Sequence, residues 1–344
     1  MLPQDDGCAQ GVYQLSIGIG MKLQQIKYIF EVARNQLNVS ATAESLFTSQ
    51  PGISKQVRLL EDELGVEIFV RSGKHLTNIT PAGREILPVA EHILKQVRKI
   101  QDIAASHVNH KEGRLNLSTT HTFSRYFLPE VVEAYRKKYA KVAMHIFQSN
   151  GVRTNSDLDE GKLDLALAHE GEEGFVDKVK LPCFYWRRCV VVPKGHSLSK
   201  KERVNFDILA QYPLLTHTSM GGDRNPILQK FKEHGFSPEI VFSATDCEVI
   251  KSYVRMGLGV GVIANMAFEE HLDADLVKIP IDHLFNPSLV NVVFDRNLYF
   301  REYIFSFIES LAPQLNRELI LQSQQIKSSN KIARLVDQSL IPVL

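Results

Sequence analysis

The sequence predicts an α/β protein in two parts: a small, mainly helical N-terminal unit, then one long linker helix leading to a larger unit of alternating strands and helices in two lobes. Three observations carry this. Apolar residues recur at helical spacing between Leu23 and Leu64 with two tight breaks. A single apolar stripe then runs from Ile86 to Ile103, and beyond Gly113 short strand-like runs alternate with helical ones. At 344 residues the chain is long enough for two or three compact units. Its 44% hydrophobic and 23% charged residues are ordinary for a soluble globular protein, and no run of eighteen apolar residues marks a membrane span.

Residues 1–20 hold Asp5 and Asp6 but no Lys or Arg, and they lack the basic start and apolar middle of a secretory signal. The expectation is a cytoplasmic protein. Because an amphipathic pattern begins directly after Met21, this stretch is either a disordered extension or a start-site artefact. Leu23, Ile26, Ile29, Phe30 and Ala33 predict a first helix ending at Arg34. Ser40 is the expected N-cap of a short second helix reaching about Leu46. Thr48 or Ser49 caps a third, with Pro51 in its first turn, Ile53, Val57, Leu60 and Leu64 on one face, and Gly65 as its stop. Three short helices with a tight turn between the second and third make a helix-turn-helix. Val66, Ile68 and Val70 alternate, Ser72-Gly73-Lys74 turns, and His75 to Ile79 returns, so a small hairpin follows as a wing. Residues 21–80 are thus a winged helix-turn-helix. Thr80-Pro81 opens a long helix to about Ala105, and 81–112 form the linker; the stripe Ile86, Val89, Ala90, Ile93, Leu94, Val97, Ile100, Ile103 suggests a dimer seam ahead of burial against its own domain.

Residues 113–184 with 286–312 are assigned to a first lobe, 185–285 to a second, and 313–344 to a C-terminal tail. In the first lobe strands are expected at 115–119, 143–147 and 163–168, with helices at 127–139 and 155–160. In the second, strands at 188–192, 214–216, 240–242 and 261–264 flank helices at 206–210, 226–234 and 247–256. Such alternation means parallel sheet with crossover helices, and two lobes in succession imply a cleft between them.

Net charge is +1 overall, but residues 21–100 carry eleven Lys or Arg against eight Asp or Glu, a mild basic bias at the N-terminal end. On the third helix Gln50, Ser54, Lys55 and Arg58 fall off the apolar face. Gln pairs with adenine, Ser with either partner, and Lys or Arg with guanine edges or phosphates, so that helix is a candidate reader of duplex DNA; the plain alternative is a solvated face. Residues 118–124 lie between the first strand of the larger unit and its first helix, where backbone N–H groups and threonine hydroxyls offer an anion site. Asp246 is expected to cap the helix beginning at Cys247, and Trp186 to pack at the crossover between lobes. The four cysteines have no C-x-x-C pair or zinc-finger spacing, so reduced buried thiols are expected, with a redox pair Cys183/Cys189 as a weaker alternative. Gly257-Leu-Gly-Val-Gly261 follows a helix and precedes a strand, the wrong order for a phosphate loop. No Ser/His/Asp or H-E-x-x-H arrangement stands out among the twelve histidines, so no enzyme, metal site or cofactor is expected.

The run Ser40 to Arg71, with Thr80-Pro81-Ala82-Gly83, resembles the signature of LysR-type transcription regulators, and Thr48 to Lys55, Arg71 to Leu76, Thr119 to Thr122, Ala244 to Asp246 and Gly257 to Ala264 look closest to the CysB subfamily. The resemblance covers roughly residues 21–320. It implies a DNA-bound homo-oligomer, dimer or tetramer, working with RNA polymerase, whose effector lobes resemble periplasmic solute-binding proteins. It also implies base contacts from Gln50, Pro51, Ser54 and Lys55, and DNA-backbone contacts from Arg71 and Lys74. Thr120 and Thr122 match residues that bind sulfate or an acetylated serine in that subfamily. Three positions depart: Phe123 stands for Gln, His169 for Thr and Gly222 for Thr. An organosulfur or sulfonate-type effector is therefore expected, held by Thr120, Thr122, Phe123, a protonated His169, Gly222, Thr245 and Asp246; alternatively Phe123 only packs between lobes. The rival assignment is a cytoplasmic solute-binding module without regulatory DNA binding.

Overall fold

The computed structural model describes residues 20–344 apart from 74, 109–110, 149–150, 171, 173 and 219–224. The chain divides into two compact units, Met1–Ile100 and Gln101–Leu344.

In the first unit α1 (Leu23–Arg34), α2 (Val39–Ser45) and α3 (Gln50–Leu64) bury Ile29, Val32, Ile53, Val57 and Leu60 against one another. The cap of α2 is Asn38, whose side chain accepts from Ala41 N at 3.0 Å, and Ser40 lies inside the helix. Asn caps as well as Ser, and starting two residues earlier brings Thr42 and Ala43 into the core. Ser49 caps α3 and Gly65, at φ 68°, ends it in the left-handed conformation. The wing is the antiparallel pair β1 (Phe69–Ser72) and β2 (His75–Ile79). The alternation expected of Val66, Ile68 and Val70 fails: Val66 and Val70 are exposed, while Ile68 and Phe69 are both buried. The reason is local, because the Glu61 carboxylate accepts the Ile68 and Phe69 N–H groups at 2.8 and 3.1 Å and draws two consecutive residues inward.

The long helix α4 (Pro81–Val108) opens with Thr80 Oγ1 accepting from Gly83 N at 2.9 Å. Its expected seam is split. Ala90 is buried in the core of the first unit, with Ile86, Ile93 and Leu94 packed beside it, whereas Val89 and Ile100 remain 59% and 66% exposed.

The second unit contains two five-stranded sheets. The first has the order β4-β3-β5-β12-β6, from β3 (Glu112–Ser118), β4 (Lys141–Phe147), β5 (Leu165–His169), β6 (Lys178–Trp186) and β12 (Ser288–Asp295). The second has the order β11-β7-β10-β8-β9, from β7 (Arg188–Pro193), β8 (Leu214–His217), β9 (Ile240–Ala244), β10 (Val260–Ala264) and β11 (Leu276–Pro280). Each sheet is parallel only in part: β3 runs parallel to β4 and β5, and β8 to β9 and β10, while β6, β7, β11 and β12 pair antiparallel. The chain crosses between lobes at Arg187 and again between β11 and β12. Strand β6 escapes a reading from sequence because Pro182 interrupts its apolar run; it lies at a sheet edge, where a missing N–H is tolerated.

Helices α5 (His121–Tyr126), α6 (Leu128–Lys138) and α7 (Gly151–Asp159) serve the first lobe, and α8 (Phe206–Ala210), α9 (Pro226–Glu233) and α10 (Cys247–Arg255) the second. The single helix expected over 127–139 starts one residue late, behind a separate α5, because Pro129 sits in the first turn of α6 and cannot donate back across Phe127. After α11 (Glu302–Leu311), the segment expected as a polar tail forms α12 (Arg317–Gln325) and α13 (Ser329–Ala333) and buries Leu315, Ile320, Ile332, Val336 and Ile341 in the core of the first lobe. Tyr185 N donates to Pro342 O and Leu344 N to Tyr185 O, both at 2.7 Å, so this segment covers the open edge of β6.

Candidate functional site

Two surfaces carry the candidate chemistry. On α3 the buried Ile53, Val57 and Leu60 fix one side of the helix, which leaves Gln50, Pro51, Lys55 and Arg58 exposed and Ser54 half-buried. The first turn of α3 holds no acidic residue, and neither Lys55 nor Arg58 makes an ion pair among the described residues. The turn before it presents Phe47, 98% exposed at φ 50°, an apolar ring beside the polar face that the sequence did not single out. Arg71, expected on the DNA backbone, donates to Glu61 at 2.5 Å, and Glu61 is buried. The wing is thereby tied to α3 through one carboxylate. Lys74 lies outside the described residues.

In the second unit the carboxyl ends of β3 and β5 in the first lobe and of β8 in the second meet the helices α5 and α10. Thr120 caps α5, its Oγ1 accepting from Phe123 N at 3.3 Å. Thr122 Oγ1 lies 3.7 Å from Cys247 Sγ of the opposite lobe, and His217 Nε2 lies 3.0 Å from the same sulfur. Phe123 is 1% exposed, with His169, Phe184 and Trp186 rings centred 5.1, 5.3 and 6.5 Å away, so its side chain belongs to the core of the first lobe. Asp246 accepts from Glu248 N at 2.9 Å as the cap of α10, and Thr245 beside it is exposed. Gly222 lies outside the described residues.

The protonated His169 expected from sequence needs correction. Trp186 Nε1 donates to its Nδ1 at 3.3 Å, and since an indole only donates, the ring proton is on Nε2. Burial and the nearby Arg188 cation hold His169 down to about 4, and burial with the same cation holds His217 down to about 4. Both rings are neutral at physiological pH. Their stabilising effect is complete above the ordinary 6.5 and is lost as pH falls toward 4, because the unfolded chain takes up protons the folded one refuses. Asp164, pushed up to about 6 by burial, works in the opposite sense. In urea unfolding followed by the single tryptophan, Trp186, the loss of stability between pH 6.5 and 4 should shrink in the double variant His169→Gln/His217→Gln and steepen in Asp164→Asn.

Sequence reasoning did not single out Arg188, Thr216, His217 or the contact of Tyr126 with Glu248, and it reached Thr119 only as part of the segment 118–124. Arg188, the first residue of β7, stacks on Trp186 with its guanidinium carbon 4.4 Å from the ring centre and donates from Nη1 to Ser288 Oγ at 2.9 Å. Burial brings it down to about 10. Thr119 and Thr216, at the carboxyl ends of β3 and β8, have buried hydroxyls without a hydrogen-bond partner among the described residues. His217 gave no signal, since only the fold brings it to α10. Across the lobes Tyr126 donates to Glu248, and Arg125 lies 3.4 Å from the same carboxylate. Glu248 also faces Lys251, whose fully buried ammonium donates to Asp273 at 2.7 Å and to Ala267 O at 2.8 Å.

The remaining motifs are structural. Gly257 takes φ 78° behind α10, and a Cβ on Gly259 would stand 2.3 Å from Pro213 O, so the glycine run serves a turn and a close approach. Cys183 and Cys189 are buried, and burial pushes both thiols up, Cys189 to about 12. Among the described residues no group of three or more His, Cys, Asp or Glu is placed to hold a metal ion, and no helix is long and apolar enough to cross a membrane.

Residues 23–84 match the bacterial regulatory helix-turn-helix model of the lysR family, and residues 109–316 match the LysR substrate binding domain. The chain belongs to the LysR family of transcriptional regulators. Within it the chain is similar to the regulator CysB of Haemophilus influenzae, 42% identical over 92% of this chain and 98% of that one, and to SsuR of Burkholderia cenocepacia, 36% identical over 86% and 96%. The crystal structure of the cofactor-binding domain of the Cbl regulator superposes with a TM-score of 0.59 at 31% identity, covering 64% of this chain and 96% of that one. It thus falls in the CysB, Cbl and SsuR group, whose members are regulators and not enzymes.

Proposed function

We propose that this LysR-type regulator reads duplex DNA through α3 and senses a small, sulfur-related anion between the two lobes of its second unit. The reading of the cleft rests above all on the orphaned hydroxyls of Thr119 and Thr216. A buried hydroxyl without a partner costs about 1–3 kcal/mol, and we read these two, near the carboxyl ends of β3 and β8, as donors to a bound oxyanion. Thr120 and Thr122 on the adjoining turn support the same reading. The sulfur chemistry comes from the resemblance to the CysB group. The neutral His169 adds a donor and no charge, and Phe123, packed in the core of the first lobe, stands behind that ring rather than against the ligand. On the DNA side we assign Gln50, Pro51, Ser54 and Lys55 to base edges, Arg58 to phosphates and Phe47 to a thymine methyl or sugar, with Lys74, outside the described residues, assigned to the DNA backbone from the sequence alone. The chain acts in the cytoplasm as a homo-oligomer in contact with RNA polymerase, and the exposed Val89 and Ile100 of α4 are available to a second copy.

A thermal-shift series with sulfate, thiosulfate, small alkanesulfonates and O-acetylserine tests the effector. The expected result is a Tm rise of several degrees with an organic sulfonate or acetylated serine, larger than that with sulfate at equal concentration. Stabilisation by inorganic sulfate alone would remove the organosulfur assignment.

A further inference from the structure

Among the described residues the two fully buried ammonium groups and several half-buried guanidinium groups are matched by carboxylates or carbonyls. Lys178 has Asp159 and Asp295, Lys251 has Asp273, Arg71 has Glu61, and Arg301 has Asp102. Arg296, without a carboxylate, spreads one amino group over the carbonyls of Ser323, Gln324 and Ile326. Arg188 has neither arrangement. Of its five N–H groups one reaches a single neutral hydroxyl, that of Ser288; one face lies on Trp186; and among the described residues it forms no ion pair.

Its position is equally specific. Arg188 follows the crossover at Arg187, so its backbone belongs to the second lobe while Trp186 and Ser288, which hold its side chain, belong to the first. Its charge acts on His169 at the end of β5 and on His217 at the end of β8, one from each lobe. Neither ring answers it with a negative charge. A guanidinium withdrawn from water without a counter-ion is a standing cost to the fold, and an incoming anion removes that cost.

We propose that Arg188 is the counter-charge of the effector: its free N–H groups take the oxyanion of the ligand, a sulfate, sulfonate or carboxylate, at the junction of the two lobes. This rests on the reading of the cleft as an anion site and adds its missing positive charge. The planar guanidinium, fixed on the indole, presents two parallel donors to two oxygens of one group, which a point charge cannot imitate. The threonine hydroxyls then orient the ligand, and Arg188 supplies the preference for an anion over a neutral analogue.

Calorimetric titration of the full chain with sulfate and with methanesulfonate tests this in wild type, Arg188→Gln and Arg188→Lys. The expected loss in Arg188→Gln is about tenfold to hundredfold in affinity, with Arg188→Lys between the two. The Tm of ligand-free Arg188→Gln should equal or exceed that of wild type, which a merely structural arginine would not allow. By NMR, His169 and His217 should titrate at higher pH in Arg188→Gln, and sulfate should raise them in wild type but not in the variant. Equal affinity in wild type and Arg188→Gln overturns the role of Arg188 and leaves the cleft standing; a wild type that binds neither anion overturns both.

Discussion

Glu61→Ala is expected to destabilise the N-terminal unit by about 3–5 kcal/mol, the cost of breaking a buried charged pair and stranding its partners. The carboxylate is buried and accepts three hydrogen bonds, from Ile68 N, Phe69 N and the Arg71 guanidinium. Alanine would leave two buried N–H groups without acceptors and release the wing from α3. The effect should stay in that unit. A thermal melt followed by far-ultraviolet circular dichroism should show an early transition, while the fluorescence of Trp186, in the second unit, melts as in wild type. Glu61→Gln keeps one acceptor oxygen and should lose roughly half as much. A single unshifted melt in Glu61→Ala would show that this carboxylate does not organise the wing.

Lys55→Ala is expected to abolish promoter footprints while leaving both melts unchanged. Lys55 is exposed, makes no ion pair among the described residues, and lies one turn into α3 on the side opposite Ile53 and Val57. Loss of one such contact costs about 1–3 kcal/mol, and a two-fold symmetric complex loses it twice, so affinity should fall by about a hundredfold or more. Arg58→Ala should instead weaken binding evenly across sequences and lower the salt dependence by about one ion per site. Undiminished affinity in Lys55→Ala would remove α3 as the reading helix.

The helix-turn-helix was legible because every signal in it is local: Pro51 after Ser49, Gly65 after Leu64, and apolar residues at helical spacing between them. The parallel centre of each sheet was legible for a similar reason, as short apolar runs separated by helices. What failed was set by partners distant in sequence. Phe69 is buried because Glu61 reaches it, β6 is a strand because β12 pairs with it, and the segment after Leu311 is core because the first lobe offers an uncovered edge. The candidate cleft divides in the same way. Thr120 and Thr122 could be found from the motif around them, but Arg188 and His217 carry no motif, and their meaning comes only from what the fold leaves unpaired beside them. His169 directly follows the strand expected over 163–168, but its neutral state was not legible, since a sequence shows neither the burial that dries the ring nor the cation beside it.

The carboxylate of Glu248 stands between the lobes in an unequal position. Toward its own lobe it shares Lys251 with Asp273, and toward the other it accepts from Tyr126 and faces Arg125. If the lobes part, Lys251 keeps Asp273 and the Ala267 carbonyl, while the groups set free, a phenol and an exposed arginine, are ones that water can serve at once. A parting at this seam would therefore leave no buried ion without a partner.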